Sequence, residues 1–137
     1  TSLGYKCLRG HGELAYCNAG HETPYAVPPT GKSASRLSGA GGPPLCMLGD
    51  FSYATVRYRC SPGESLILVS DGVTEAMNPD GELLGRARLE RLLSAMPAKQ
   101  TAEQRVNAVR DAAREFSAGA EMADDMTILA VRWLGKQ

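Results

Sequence analysis

Residues 65–72 read Ser65-Leu66-Ile67-Leu68-Val69-Ser70-Asp71-Gly72. Four consecutive apolar side chains leave no polar face, so the run reads as a strand covered on both sides. A carboxylate stands at its C-terminal end, followed by a glycine that tolerates backbone angles other residues avoid. Upstream, Tyr53, Thr55, Arg57 and Arg59 alternate with Ala54, Val56, Tyr58 and Cys60. That alternation predicts a half-buried strand over Tyr53 to Cys60. Ser61-Pro62-Gly63-Glu64 is the turn joining it to the apolar run.

Further back, Ser2 to Arg9 and Glu13 to Asn18 flank Gly10-His11-Gly12 and read as a β-hairpin. The stretch from Pro24 to Pro44 is rich in Pro and Gly, including Pro28-Pro29 and Gly41-Gly42. It predicts no helix and at most short edge strands, one of them near Ser35 to Leu37. Downstream, Asn78-Pro79-Asp80-Gly81 is a turn, and Leu89, Leu92, Leu93 and Met96 follow at helical spacing. A helix is expected over Gly85 to Met96, stopped by Pro97, with its arginines forming a solvated face. Thr101 with Gln104 three residues on is a capping box. The helix it starts runs to about Ser117, with Val106, Val109, Ala113 and Phe116 on one face. Met126 to Trp133 is a final strand. Hairpin-connected strands with two late helices indicate an α+β domain, its helices on one face of a mainly antiparallel sheet.

The chain has 137 residues, 43% of them hydrophobic, and 15 Lys+Arg balance 15 Asp+Glu. That length supports one domain. Zero net charge argues against an electrostatic grip on nucleic acid or anionic lipid. No apolar run approaches the roughly 18 residues that would span a bilayer. Residue 1 is Thr and the next residues already read as a strand, so the chain reads as a piece of a longer protein. Cys7, Cys17, Cys46 and Cys60 lack C-x-x-C spacing and read as buried small hydrophobes. A cysteine-dependent redox protein is disfavoured: Lys6 beside Cys7 is the one Lys next to a Cys in sequence, and no His or helix start adjoins any of the four.

Three motifs bear chemistry. Asp71-Gly72 ends the apolar strand, and Asp124-Asp125 precedes the last one. Neighbouring strands of one sheet bring such ends together, and carboxylates are hard ligands suited to Mg²⁺ or Mn²⁺. An ordinary Asp-Gly turn and an acidic loop are the alternatives. Asn18-Ala19-Gly20-His21 is the third motif, with His21 either functional or ordering its loop. No G-x-S-x-G elbow and no phosphate-cradling G-x-x-x-x-G-K-[ST] loop is present.

Taken in order, these pieces resemble the PPM/PP2C-type serine/threonine phosphatases, in their bacterial SpoIIE/RsbU-like branch. The matching runs are 12–21 (Gly12-Glu13-Leu14 through Gly20-His21), 42–45, 62–66, 70–76 (Ser70-Asp71-Gly72-Val73-Thr74-Glu75-Ala76), 78–82 with Gly85, and Asp124-Asp125-Met126-Thr127. The resemblance implies a β-sandwich flanked by helices, here the C-terminal part of one domain over residues 1–137. It implies a site for two Mn²⁺ or Mg²⁺ ions in the complete domain. In that family, metal-activated water attacks phosphoserine or phosphothreonine without a phosphoenzyme. By position, Asp71, Gly72 and Asp124 match the metal-binding motifs. The resemblance implies that Asp125 orients ligands or waters; His21 occupies the place where some eukaryotic relatives carry an extra metal-binding Asp, and Asn18 is a further candidate. The family's early acidic motif would precede residue 1, so this chain alone is expected to hydrolyse little and to self-associate through exposed sheet. The implied partners are a phosphoprotein, an anti-sigma-factor antagonist in partner switching, and an upstream sensor or receiver domain. The implied location is the cytoplasm, including the cytoplasmic side of a membrane-anchored sensor. A non-catalytic phosphatase-like binding module is the alternative.

Overall fold

The computed structural model describes residues 2–8, 12–30, 33–37, 39, 41–118 and 125–135, with the backbone alone for 2–8. β1 (Ser2–Leu8) and β2 (Glu13–Ala19) form the expected antiparallel hairpin, and β5 (Val56–Arg59) pairs with the other side of β2. The second sheet has the order β4-β3-β6-β7, all antiparallel. It contains β3 (Tyr25–Val27), β4 (Ser35–Arg36), β6 (Ser65–Val69) and β7 (Ile128–Arg132). Three helices follow β6: the single turn α1 (Asp71–Thr74), α2 (Gly85–Ser94) and α3 (Ala102–Phe116).

β6 is buried at every position. Ile67 and Val69 face the helices, where Leu89, Leu93, Val109 and Ala113 meet Tyr25 and Val27. Leu66 and Leu68 face the other sheet, against Tyr16, Ala26 and Leu37, with Val56 and Tyr58 packed alongside. Each fully buried aliphatic side chain here contributes about 1.5–3 kcal/mol. The capping box is present: Gln104 N donates to Thr101 Oγ1 at 3.1 Å, and Thr101 N donates to Gln104 Oε1 at 2.8 Å. On β7, Ile128 and Ala130 pack toward the helices. Leu129 and Val131, opposite Leu68 and Leu66 in the ladder, stay 51% and 52% exposed. They line an apolar groove with Leu14, Leu66 and Trp133.

The structure corrects several expectations. β3 is an interior strand, bonded to both β4 and β6, within a stretch expected to hold only edge strands. Pro24 and Pro28 bracket it from outside the ladder, so the missing N–H groups cost it nothing. The strand expected over Tyr53 to Cys60 shortens to β5. The stripe expected on α3 rotates: Arg105 is buried with Val109 and Ala113, while Val106 is half-buried. Arg105 lies one helical turn before Val109, so its stem continues the apolar row. Its Nη2 donates to the Pro97 carbonyl at 3.4 Å, its Nε has no hydrogen-bond partner among the described residues, and burial pushes its pKa down, followed by the charge of Arg132. Cys17, Cys46 and Cys60 are not buried as expected: Cys17 and Cys60 are intermediate, and Cys46 is exposed on a loop at φ 66°. No helix among the described residues is long and apolar enough to cross a membrane.

Candidate functional site

β6 sets the position of Asp71. Its ladder with β7 continues one step past the strand end, where Ser70 N donates to the Thr127 carbonyl at 2.9 Å. The Ser70 hydroxyl accepts from Thr127 N at 2.9 Å and donates to the Asp125 carbonyl at 3.1 Å. Segment 125–127 is thereby tied to the residue preceding Asp71. The chain then turns into α1, with Glu75 N donating to the Asp71 carbonyl at 2.8 Å and Thr74 Oγ1 to the same oxygen at 3.2 Å. The Asp71 side chain is exposed, accepts from Gly72 N at 3.1 Å, and forms no salt bridge with a described residue. Gly72 is buried inside this helical turn, so its backbone is not in the unusual region expected for it.

β2 sets the position of the second motif. Asn18 closes a tight loop at its end: its Nδ2 donates to the His21 carbonyl and its Oδ1 accepts from His21 N, both at 2.8 Å. Gly20 at the apex has φ +75°, and a Cβ there would sit 2.8 Å from Pro44. Only glycine combines that backbone angle with that approach. His21 Nδ1 lies 3.0 Å from the Glu22 carbonyl. A carbonyl only accepts, so this bond assigns the proton to Nδ1 and leaves Nε2 as the free ring nitrogen.

The two loops face each other across a cavity of about 300 Å³ lined by Gly20, His21, Glu22, Ser70, Asp71 and Arg86. Arg86, from the first turn of α2, grips Glu22 in a two-bond fork, Nε to Oε2 at 3.0 Å and Nη2 to Oε1 at 2.5 Å. Glu22 holds the guanidinium pKa above its usual value by this bond and by its charge. The apolar groove beside β7 has a similar volume but lies between β2 of one sheet and β6 and β7 of the other, not at this acidic corner.

The sequence-predicted residues separate into groups. Asp71 and His21 share the cavity. Asn18 does not line it and shapes the loop that presents His21. Asp125 is exposed and is tied to Ser70 through its main chain. Asp124 lies outside the described residues. Ser70, Glu22 and Arg86 were missed as site residues. The arginines of α2 read as a uniform solvated face, because nothing in their spacing marks the one that meets a carboxylate 64 residues away. Among the described residues, no three His, Cys, Asp or Glu side chains cluster to hold a metal ion. The exposed Asp71 carboxylate, with no ion pair among the described residues, fits one ligand of a larger set.

Two facing antiparallel sheets with helices outside one of them, and an acid at the end of a central strand, make up the fold of PP2C-type phosphatase domains. The Stage II sporulation protein E (SpoIIE) family model matches residues 3–134, and the chain belongs to that family. The SiaA-PP2C domain of Pseudomonas aeruginosa superimposes with a TM-score of 0.72 at 25% identity, over 90% of this chain and 47% of that one. The phosphatase domain of the cell fate determinant SpoIIE from Bacillus subtilis, presoaked with Mn, gives a TM-score of 0.75. That match covers 99% of this chain and 57% of that one at 14% identity, a likeness of fold alone. Protein IcfG of Synechocystis sp. is 32% identical over 121 residues, 88% of this chain and 18% of IcfG. The chain thus spans about half the length of these solved phosphatase chains and less than a fifth of IcfG.

Proposed function

We propose that the chain is the C-terminal part of one phosphatase domain, and that the complete domain is a metal-dependent protein phosphoserine/phosphothreonine phosphatase of bacterial signalling. The observation that carries this reading is Asp71: an exposed carboxylate without an ion-pair partner among the described residues, at the end of the fully buried β6, beside the 125–127 segment that Ser70 ties down. Asp71 and Asp124 would hold Mn²⁺ or Mg²⁺, with Gly72 letting the backbone come close and Asp125 orienting ligands or waters. Bound divalent cations of this kind activate water and offset phosphoryl charge. The end of β6 positions Asp71, and the Asn18 loop presents His21 to the same cavity. The substrate would be a phosphoprotein such as an anti-sigma-factor antagonist, under an upstream sensor or receiver domain, in the cytoplasm or on the cytoplasmic side of a membrane. The exposed face formed by Leu129 and Val131 supports self-association of the isolated chain.

The test is Asp71→Asn in the complete domain, assayed with Mn²⁺ on a phosphoserine protein. Turnover should fall by about 100-fold or more, the upper range for disturbing merely an outer partner of a ligand. Unchanged turnover would refute the metal-ligand role. A complete wild-type domain that binds its partner without dephosphorylating it would establish a non-catalytic module instead. The 137-residue chain alone should hydrolyse little, and turnover equal to the complete domain would refute the part-domain reading.

A further inference from the structure

We propose that Arg86 is a substrate-positioning residue whose guanidinium, aimed by Glu22, anchors the phosphoryl group of a phosphoserine in the cavity beside Asp71. This rests on the phosphatase reading and adds to it a residue that the sequence motifs do not mark. Three features of the pair support it. First, the fork to Glu22 uses Nε and Nη2, and no described bond engages Nη1, which carries two further N–H donors. A guanidinium held along one edge presents its remaining donors in a fixed plane, which suits the tetrahedral oxygens of a phosphoryl group.

Second, burial is lopsided. The Glu22 side chain is 12% exposed and the Arg86 side chain 59%. The carboxylate is the anchor and the guanidinium is the presented group. An ion pair serving only as a staple on the surface contributes little to stability, and a Lys could serve that purpose as well. Third, Arg86 is the one arginine or lysine among the described residues lining the cavity, which otherwise offers Asp71, Glu22 and His21. A dianionic substrate entering this corner meets two carboxylates, and Arg86 cancels one of them while keeping donors free. Arg88, two residues on, shows what a committed arginine looks like. It bonds Glu82 and the Leu83 carbonyl and lies over the Phe116 ring at 4.9 Å, outside the cavity lining.

The experiment uses the complete domain and reads binding directly, by calorimetry with inorganic phosphate and with a phosphoserine peptide, alongside kcat and KM. Arg86→Met should weaken both ligands by about tenfold or more, the fold-change expected for losing charge-assisted hydrogen bonds. KM should rise more than kcat falls. Arg86→Lys should recover part of the loss, Glu22→Gln should show a smaller one, and Arg88→Met should match wild type. Phosphate and peptide affinities unchanged in Arg86→Met overturn the proposal. So does an Arg86→Met loss confined to the peptide and governed by its acidic flank rather than its phosphoryl group. Because binding is read without turnover, failure of Arg86→Met leaves the Asp71→Asn result standing, whereas a complete wild-type domain that binds the phosphoprotein without dephosphorylating it removes the phosphatase reading itself.

Discussion

Replacing Ser70 by Ala isolates the hydroxyl that ties the two halves of the site together. It removes two hydrogen bonds, one from Thr127 N at 2.9 Å and one to the Asp125 carbonyl at 3.1 Å. It leaves the main-chain bond from Ser70 N to Thr127 O at 2.9 Å, so strand pairing survives. Each lost bond is worth about 0.5–1.5 kcal/mol, and both lie at an exposed strand end where water compensates, so the expected destabilisation is about 1–2 kcal/mol. If that energy fixes segment 125–127 beside Asp71, losing it weakens cation binding by up to a factor of about 5–30. Urea denaturation of the complete domain reads the first quantity, and Mn²⁺ titration reads the second. Ser70→Thr, which keeps the hydroxyl, should retain more of both. A Ser70→Ala domain with wild-type stability and wild-type Mn²⁺ affinity would show that the hydroxyl positions nothing. A loss of stability without loss of affinity would place its role in the fold alone.

Gly20→Ala forces a side chain to φ +75° and into Pro44 at 2.8 Å. Left-handed strain of about 1–2 kcal/mol and overpacking of about 1–3 kcal/mol should combine to lower stability and disturb the His21 loop; a loss below about 0.5 kcal/mol by denaturation would show that Pro44 yields freely. Tyr25 is fully buried and its hydroxyl has no partner among the described residues, so Tyr25→Phe should be neutral or stabilising by about 1 kcal/mol; clear destabilisation would reveal a water or other partner on that oxygen. Tyr58 has its pKa raised by burial first, then by its hydrogen bond to Glu64 and the charge of that carboxylate, while Tyr16 and Tyr25 are raised chiefly by burial. The folded state therefore holds these protons more tightly, and the stability they contribute is full below the ordinary value of 10.0 and is lost as pH rises above it. Denaturation curves should show stability falling above about pH 10, less steeply in Tyr58→Phe; a flat profile to about pH 11 would contradict the shifts.

Much of this was legible locally. The four-residue apolar run gave β6 because a strand sandwiched between helices and a second sheet has no solvent face. Thr101 and Gln104 marked the start of α3, because a cap is a contact three residues long. What escaped depends on distant pairings. β3 has only three residues between prolines, too few to show a period, and its interior place follows from β4 and β6 closing on it from either side. Arg105 carries a charge and so broke the apolar pattern, although its stem fills the row. The Glu22–Arg86 pair joins a loop to a helix 64 residues later, a contact that no local pattern encodes. The turns that display Asp71 and the Asn18-Ala19-Gly20-His21 loop were readable because each combines a polar group with local chain geometry. Their partners Ser70 and Glu22 look unremarkable in sequence.

The cavity holds two carboxylates that the protein treats in opposite ways. Glu22 is mostly withdrawn from water and neutralised by a two-pronged arginine. A buried carboxylate without such a partner would cost far more than the pair contributes. Asp71 is left in water with one weak bond from the next amide and no described ion pair. Rigidity at Asp71 therefore comes from main chain: the β6 ladder on both sides, the Ser70–Thr127 bond and the α1 turn. A carboxylate fixed by its backbone rather than by a side-chain partner keeps its lone pairs for a ligand while losing little freedom when that ligand arrives. Were an arginine to satisfy Asp71 as Arg86 satisfies Glu22, a cation would have to displace it first. By committing Arg86 to Glu22, the fold keeps a positive group at the cavity wall without quenching Asp71, as the proposed metal-ligand role requires.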